Sequence, residues 1–222
     1  PKRARATAPD GDAATLESAR RRTLKSAFQL RARGETSASR WASLVTDDFA
    51  MTLPVTPYRS YDGRNVLANA GGAEAVGNRR VVLGPKGMAF DAASLAVLLQ
   101  SVGVRGRRGH AAVACESDVR GDHWGDGGGA DACMGVWSLR TTNARDCGAG
   151  AEVATRGMFR ASFAPDHRLS RLELSFDVLA FMRELQAARR SSVLEVVPNT
   201  LAAAERAIDA DDALWDAAAA RA

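Results

Sequence analysis

Apolar positions recur every three or four residues in five stretches of the chain, which is the spacing of amphipathic helices. The predicted helices span residues 13–33, 37–45, 87–102, 177–190 and 200–222. On the first of them, one side is formed by Leu16, Ala19, Thr23, Ala27 and Leu30. Gly34 is a natural stop for this helix, and Ser37 is a candidate N-cap for the next one. The third stretch is so apolar that it predicts a buried helix.

Alternating apolar and polar residues predict six strands. The predicted strands span residues 46–54, 81–84, 111–119, 132–143, 152–163 and 169–176. The last of these are long and are joined by turns, which predicts an antiparallel meander. The final strand has two sides, Leu172, Leu174 and Phe176 on one and Arg171, Glu173 and Ser175 on the other. A sheet of this kind buries one face and leaves the other in water.

The segments between these elements are interpreted as turns and loops. Asp47 and Asp48 read as turn residues in front of the first strand. Residues 54–79 carry Pro and Gly without periodicity and predict a long loop, and residues 121–129 predict a glycine-rich hairpin tip or insertion. The glycine cluster Gly125, Gly127, Gly128 and Gly129 lacks the sequence context of a phosphate-binding or dinucleotide-binding loop. No cofactor is expected.

The length of 222 residues favours one domain with two tails. We expect a disordered basic arm over residues 1–12, the folded domain over 13–190, and a helical C-terminal extension over 191–222. No apolar run reaches the roughly 18 residues that a membrane-spanning helix needs, so no membrane partner is expected. The chain starts without Met, which predicts a missing upstream segment, and no secretory signal is visible.

Positive charge is concentrated at the start of the chain. Residues 1–40 carry ten Lys and Arg against four Asp and Glu, whereas the remainder carries 20 against 22. The basic arm residues are Lys2, Arg3, Arg5, Arg20, Arg21 and Arg22. They could contact phosphates or act as a nuclear address, but Phe28 is the single aromatic residue among them, and a solvated helix face is the favoured interpretation. Nucleic acid is therefore expected only through this arm or a missing upstream domain.

The cysteines and histidines do not predict a metal site. Cys115, Cys133 and Cys147 contain no closely spaced pair, and the three histidines do not complete one. An odd and sparse cysteine count favours a reducing compartment. Cys115 and Cys133 could meet on neighbouring strands, although buried thiols are the favoured interpretation.

The order of these elements resembles the NTF2-like, or SnoaL-like, superfamily. The resemblance covers residues 13–187 and rests most specifically on Trp41 with LVTDDFAMTLP and on GMFRASFAPDHRLSRLELSFD. It implies an α+β cone in which a bent antiparallel sheet wraps around the N-terminal and central helices. The segments LPVTPYRSY, WSLRTTNA, LSFDVLAFMRELQ and VPNT are also similar to a domain found beside basic-leucine-zipper or PAS segments in algal-type transcription regulators. That second resemblance implies a module of a larger nuclear protein.

Enzymes of this superfamily place an Asp or His inside the cone as a general acid or base. By position, the candidates are Asp48, Asp91, His110 and Asp177, with Tyr58 or Tyr61 as hydrogen-bond donors. None of them is assigned a catalytic role: Asp48 is interpreted as a turn residue and Asp177 as a helix cap, and His110 and His167 are expected to be solvated. No catalytic residue is assigned, and a small isomerase or cyclase is the alternative function.

The favoured function is dimerisation, partner binding or ligand binding without catalysis. The residues expected to line an apolar pocket, or to fill a core, are Trp41, Phe49, Met51, Leu53, Trp137, Leu139, Phe159, Leu174 and Phe176. The residues expected on a homodimer or heterodimer face, where curved sheets of the superfamily often pair, are Arg140, Arg160, Arg171, Glu173 and Ser175. The expected small-molecule partner is an apolar ligand, and the expected location is intracellular, in the nucleus rather than the cytoplasm.

Overall fold

The computed structural model describes residues 10–54, 79–103, 112–124 and 132–189. The helices there are α1 (Asp10–Arg33), α2 (Ala38–Ala42), α3 (Gly84–Gln100) and α4 (Val178–Ala188). The strands are β1 (Val45–Pro54), β2 (Arg79–Leu83), β3 (Cys115–Trp124), β4 (Ala132–Thr141), β5 (Ala154–Phe163) and β6 (Leu169–Phe176). The predicted α+β class is therefore confirmed. The predicted helix at 200–222 and nearly all of the predicted loop at 54–79 lie outside the described residues.

The strands form one curved six-stranded sheet in the order β2-β1-β6-β5-β4-β3. The meander from β3 to β6 is antiparallel, as predicted. The expectation of a fully antiparallel sheet is wrong in one place, because β1 and β6 pair in parallel. The alternation of residues along a strand shows which side chains share a face. It does not show whether a neighbouring strand from a distant part of the chain runs parallel or antiparallel. The sheet is therefore mixed.

One face of the sheet packs against helices and forms the core. On β1, the side chains of Phe49, Met51 and Leu53 are buried on this face, as the alternation predicted. α1 packs against β3 and α3, and α3 packs against β1 and β2. This arrangement is the predicted cone, with the apolar side of the sheet turned towards the early and central helices.

Helix α1 is rotated about its axis relative to the prediction. Leu16 is 37% exposed, whereas the buried side of the helix is centred on Leu24, Ala27 and Phe28. Arg20 lies four residues before Leu24 and so faces the same side, where its side chain is only 5% exposed. The prediction that Arg20 lies on a solvated face is therefore wrong. A long aliphatic stem can be buried on an apolar side even when the residue reads as polar.

Several predicted boundaries are also corrected. α1 begins at Asp10, so residues 10–12 are helical rather than part of a disordered arm. Asp47 and Asp48 belong to β1, where the pairing with β6 shifts register between Val45 and Ala50. β3 runs to Trp124, so the predicted glycine-rich loop begins several residues too early. The glycines at 125–129 lie outside the described residues.

The junction of α1 and α2 follows the prediction closely. Gly34 ends α1 with a φ of 72°, a conformation that glycine adopts at little cost. The hydroxyl of Ser37 accepts a hydrogen bond from the backbone N–H of Arg40, so Ser37 is the N-cap of α2. The indole N–H of Trp41 donates to the carbonyl of Glu35 at 2.9 Å and fixes this turn against the core.

Candidate docking surface on the sheet

The face of β3–β6 that points away from the helices is named here the outer face. Its side chains alternate with the core residues along each strand. The outer face comprises Glu116, Asp118, Arg120, Met134, Val136, Ser138, Arg140, Arg156, Met158, Arg160, Arg171, Glu173 and Ser175. Among the described residues no other protein element covers its centre, where the side chains of Val136 and Met158 are exposed.

The centre of the outer face is apolar. Val136 and Met158 are direct cross-strand partners on β4 and β5, and Ser175 of β6 pairs with Met158. Val136 is 46% exposed and Met158 is 63% exposed. Large apolar side chains that lie side by side in water mark a site of association more strongly than scattered ones do. Leu83 of β2, which pairs with Ala50, is a further exposed apolar residue on this side of the sheet.

A cavity of about 780 Å³ opens on the outer face around this apolar centre. Its residues come from β3 to β6 and from the start of α4, and include Asp118, Arg120, Val136, Arg156, Met158 and Asp177. Trp137 and Phe176, whose side chains belong mainly to the core side, also border it. The cavity is a wide groove in the sheet surface and not a closed chamber.

Gly157 lies beneath this groove, and its lack of a side chain allows the close approach of β6. It pairs with Trp137 on one side and Phe176 on the other, and a side chain at this position would collide with the carbonyl of Ser175. The rings of Trp137 and Phe176 meet edge to face with centroids 5.5 Å apart. The indole N–H of Trp137 donates to the carbonyl of Met158 at 3.1 Å. These contacts fix the backbone that presents Met158.

Charges of both signs surround the apolar centre. Arg140 contacts Glu116 at 3.2 Å, and Arg120 contacts Asp118 at 3.3 Å. All four side chains are more than half exposed, so these pairs contribute little to stability. Their arrangement around the apolar centre affects the specificity of association more than stability. A surface that carries both positive and negative charges can be complementary to another surface that carries both.

The predicted dimer-face residues lie together on the outer face. Arg140, Arg160, Arg171 and Ser175 are exposed, and Glu173 is half-buried. The register places Arg160 opposite Glu173. Val136 and Met158 were not predicted, although each alternates with a core aromatic residue, Trp137 and Phe159 respectively. That alternation was the signal which could have found them. The dimer itself stays a prediction.

The nine predicted pocket-lining residues gather in the core. Eight are buried, and Phe176 is partly buried and packed against them. Phe28 of α1, which was not among them, packs onto β4 and β5, with its ring centroid 6.1 Å from that of Trp137 and 5.9 Å from that of Phe159. Of the nine, Trp137 and Phe176 border the outer groove. Their role as ligand contacts stays a prediction.

Asp91 is the candidate catalytic carboxylate that the fold buries. It lies on α3 with a fully buried side chain. The Nε of Arg31 donates to its Oδ2 at 2.7 Å, and Arg80 of β2 contacts its Oδ1. Both carboxylate oxygens are therefore engaged by guanidinium groups from α1 and β2. The geometry is that of a buried ionic tie between three elements.

The other candidates are placed differently. Asp48 is exposed on β1. Asp177 caps α4 by accepting a hydrogen bond from the N–H of Ala180 at 2.9 Å, as expected. His110, Tyr58 and Tyr61 lie outside the described residues. His167 lies in the β5–β6 turn with a φ of 69° and is not simply solvated, because its Nδ1 is buried without a hydrogen-bond partner among the described residues.

The cysteines are not brought together. Cys115 pairs with Thr141 and Cys133 pairs with Trp124, so the two thiols lie at opposite ends of the β3–β4 hairpin. The suggestion that they meet is wrong. Each cysteine lies near the start of its strand, and the starts of two antiparallel neighbouring strands lie at opposite ends of the pair. Burial raises the pKa of the Cys115 thiol to about 12. At neutral pH this thiol is protonated and therefore a poor nucleophile.

The basic arm is divided by the fold. Lys2, Arg3 and Arg5 lie outside the described residues. The guanidinium of Arg20 lies 5.7 Å from the ring centre of Phe163, a cation–π contact. Arg21 and Arg22 are exposed, and the Nε of Arg21 donates to Glu17 at 2.8 Å.

Two further observations concern the described residues alone. They hold no group of three or more His, Cys, Asp or Glu side chains arranged to bind a metal ion. Their helices include none with both the length and the apolar character needed to cross a lipid bilayer.

No family model and no curated protein matches this chain significantly. Among solved structures, a protein described as a SnoaL-like polyketide cyclase from Jannaschia sp. CCS1 is 15% identical with a TM-score of 0.45, covering 83% of this chain and 99% of its own. A phenazine biosynthesis-related protein from Pseudomonas aeruginosa is 14% identical with a TM-score of 0.44, covering 83% and 96%. An epoxide hydrolase of the LEH-like type from M. tuberculosis is 14% identical with a TM-score of 0.40, covering 78% and 92%. The likeness concerns the fold, and it carries no argument about activity.

Proposed function

We propose that this chain is a non-catalytic association module whose outer face binds the same face of a second copy. The observation that carries the proposal is the exposed pair Val136 and Met158, which lies at the centre of a bent sheet whose other face is already buried. Exposure of these two apolar side chains to water is unfavourable, so covering them would stabilise a complex. Burying a side chain of this size contributes about 1.5–3 kcal/mol.

A second copy is the occupant that the charge pattern favours. The outer face of the described residues carries both arginines and carboxylates around one apolar centre, as in the pairs Arg140–Glu116 and Arg120–Asp118. In a two-fold contact the same surface serves both sides and has to complement itself. A face of mixed sign meets that condition, whereas a face of a single sign would repel its own copy.

Within this proposal, the module belongs to a larger regulatory protein, related to transcription and located in the nucleus. The support for this finer statement is the sequence resemblance to domains beside basic-leucine-zipper or PAS segments. Dimerisation through a sheet would suit such a protein, because many regulators bind two half-sites with two copies. Recovery of the full reading frame, with or without a zipper or PAS segment, tests it.

The test of the proposed contact is a charge placed at its centre. Met158→Glu and Val136→Glu each put a carboxylate where the proposal requires an apolar contact. We expect the dimer dissociation constant, measured by sedimentation equilibrium, to rise by about 30-fold or more for each variant. Leu16→Glu is the matched control, because Leu16 is an exposed apolar residue of α1 on the helical side of the sheet.

The control variant should keep the dissociation constant of the parent chain. Equal weakening by all three substitutions would contradict the proposed contact. If the chain is monomeric but binds an apolar compound that Met158→Glu excludes, the groove is a ligand site rather than a dimer face.

A second candidate function is a small isomerase or cyclase, and one observation favours it: Asp91 is a carboxylate buried inside the cone. In such an enzyme this group would act as the general base, which would require one of its oxygens to exchange an arginine partner for the substrate. Asp91→Asn keeps the shape of the side chain and removes its charge. Turnover of a polycyclic ketone or epoxide by the parent chain that is lost in Asp91→Asn, with the fold intact by circular dichroism, would establish the enzyme reading.

A further inference from the structure

Met158 differs in exposure from the other methionines of the chain. All five methionines lie within the described residues. Met51 and Met88 are buried, Met134 and Met182 are half-buried, and Met158 is 63% exposed. A soluble oxidant therefore meets the thioether of Met158 in preference to the other four, because oxidation of methionine depends on access to the sulfur.

The exposed thioether of Met158 lies at the centre of the outer groove. Its side chain stands beside Val136 at the centre of the outer groove. The backbone below is held by the Trp137 hydrogen bond to the carbonyl of Met158. A chemical change at the sulfur therefore alters the surface of the groove without requiring the core to move.

We propose that Met158 is an oxidation site through which a peroxide controls self-association of the outer face. The inference rests on the proposed function, since it assigns a regulator to the same contact. In the reaction, the sulfur lone pair attacks one peroxide oxygen, an S–O bond forms and the O–O bond breaks. The sulfur is oxidised by two electrons to the sulfoxide. With hydrogen peroxide, the proton on the attacked oxygen passes to the other oxygen, which leaves as water.

Sulfoxide formation replaces an apolar, flexible thioether with a polar group that accepts hydrogen bonds. In the proposed dimer this group would pack against the apolar centre of the second copy, formed by Val136 and Met158, so association would strip water from the sulfoxide. The dimer in turn covers the sulfur. Peroxide therefore reacts with the dissociated chain and traps it in that form.

The first experiment measures which methionine reacts. The 222-residue chain is treated with hydrogen peroxide, and sulfoxide is quantified at each methionine by peptide mass spectrometry. We expect Met158 to react first. We also expect its rate to fall when the protein is concentrated from well below to well above its dimer dissociation constant. A Met158 rate that does not change with protein concentration in a chain that dimerises would overturn the inference.

The second experiment measures association after oxidation. We expect the dissociation constant of the parent chain to rise by about tenfold or more once Met158 is oxidised. Met158→Leu keeps an apolar side chain of similar size without an oxidisable sulfur, so its dimer should resist peroxide. Met182→Leu, which removes a half-buried sulfur on α4, should respond like the parent chain. Methionine sulfoxide reductase should restore the dimer of the oxidised parent chain.

The outcomes separate the two proposals. A chain that is monomeric before treatment contradicts the proposed function, and the inference falls with it. A chain that dimerises equally well before and after complete oxidation of Met158 contradicts the inference alone, and leaves the dimer in place. Loss of the dimer in oxidised Met158→Leu would show that another residue is responsible, which also overturns the inference.

Discussion

At the scale of single residues, Gly34 is a sharp test of how α1 meets α3. Its φ is 72°, and a side chain built on it would collide with the Cβ of Ala96. Gly34→Ala therefore combines a left-handed backbone, which costs about 1–2 kcal/mol for a residue with a side chain, with a steric clash. We expect the free energy of unfolding, measured by urea denaturation, to fall by at least that amount.

The double variant Gly34→Ala/Ala96→Gly separates these two causes. It removes the clash and keeps the strained backbone, so it should be more stable than expected from adding the two single substitutions. Strict additivity of the two effects would mean that Gly34 and Ala96 do not touch in solution.

Asp91 is the second residue whose replacement has a predictable effect. Asp91→Asn leaves the guanidinium groups of Arg31 and Arg80 buried without the carboxylate that they share. Breaking a buried pair in this way costs about 3–5 kcal/mol. We expect a correspondingly large fall in the free energy of unfolding, whereas Asp48→Asn, which changes an exposed carboxylate, should alter it by less than about 0.5 kcal/mol. Equal effects would contradict the ionic tie.

Burial could be predicted from the sequence where it follows from alternation of apolar and polar residues along a strand. Phe49, Met51 and Leu53 were expected to share one side of a strand and to line a pocket or fill a core, and all three are buried. The phase of α1 was harder to predict, because Arg20 and Arg31 are polar by type but lie on the buried side. Their burial depends on Phe163 and Asp91, which come from distant parts of the chain. No local pattern contains that information.

At the scale of elements, Glu152 organises the connection between β4 and β5. Its carboxylate accepts hydrogen bonds from the hydroxyl of Thr141 at 2.5 Å and from the N–H groups of Ala144 and Arg145 at 3.1 Å each. Desolvation raises the pKa of Glu152, but these hydrogen bonds outweigh it and hold the pKa below its usual value. The native state therefore favours the ionised form.

The sign of the pH dependence follows from that direction. A carboxylate with a lowered pKa stabilises the folded state above its unfolded pKa of about 4.3, and the contribution is lost as the pH falls through the folded pKa. We expect Glu152→Gln to lower the free energy of unfolding by about 1 kcal/mol at pH 7, allowing for solvent screening. The difference from the parent chain should vanish in acid.

Glu116→Gln provides the control for Glu152→Gln, because Glu116 also contacts an arginine but its side chain is 63% exposed. It should change stability little at either pH. Denaturation curves at neutral and acidic pH measure both variants. A Glu152→Gln effect that persists unchanged in acid would contradict the hydrogen-bonded carboxylate.

The bounds of helices and strands were easier to predict than the pairing of the strands. The predicted bounds of β6 are those observed, and β5 and α4 agree within a few residues, because turns and a capping Asp177 mark their ends. β3 was displaced because glycine at 121 reads as a loop residue, whereas it continues the strand at a register shift. The parallel pairing of β1 with β6 is a long-range contact, and periodicity does not report such contacts.

At the scale of the whole molecule, one face of the sheet is buried against helices and the other is exposed to water. The inner face is packed with aromatic and aliphatic side chains against α1, α3 and α4, whereas the outer face presents Val136 and Met158 to water. The predicted dimer face consisted of polar residues on β4, β5 and β6, and it rested on the resemblance to the superfamily. The apolar centre emerged only when the register placed residues of β4 and β5 side by side.

The central claim is that this outer face joins two copies of the chain, and the most direct test is the mass of the native protein in solution. Sedimentation equilibrium over a range of concentrations should show a species of twice the 23.5 kDa chain mass that dissociates on dilution. Hydrogen peroxide or Met158→Glu should shift it towards the single chain. A mass of 23.5 kDa at every concentration would contradict the account.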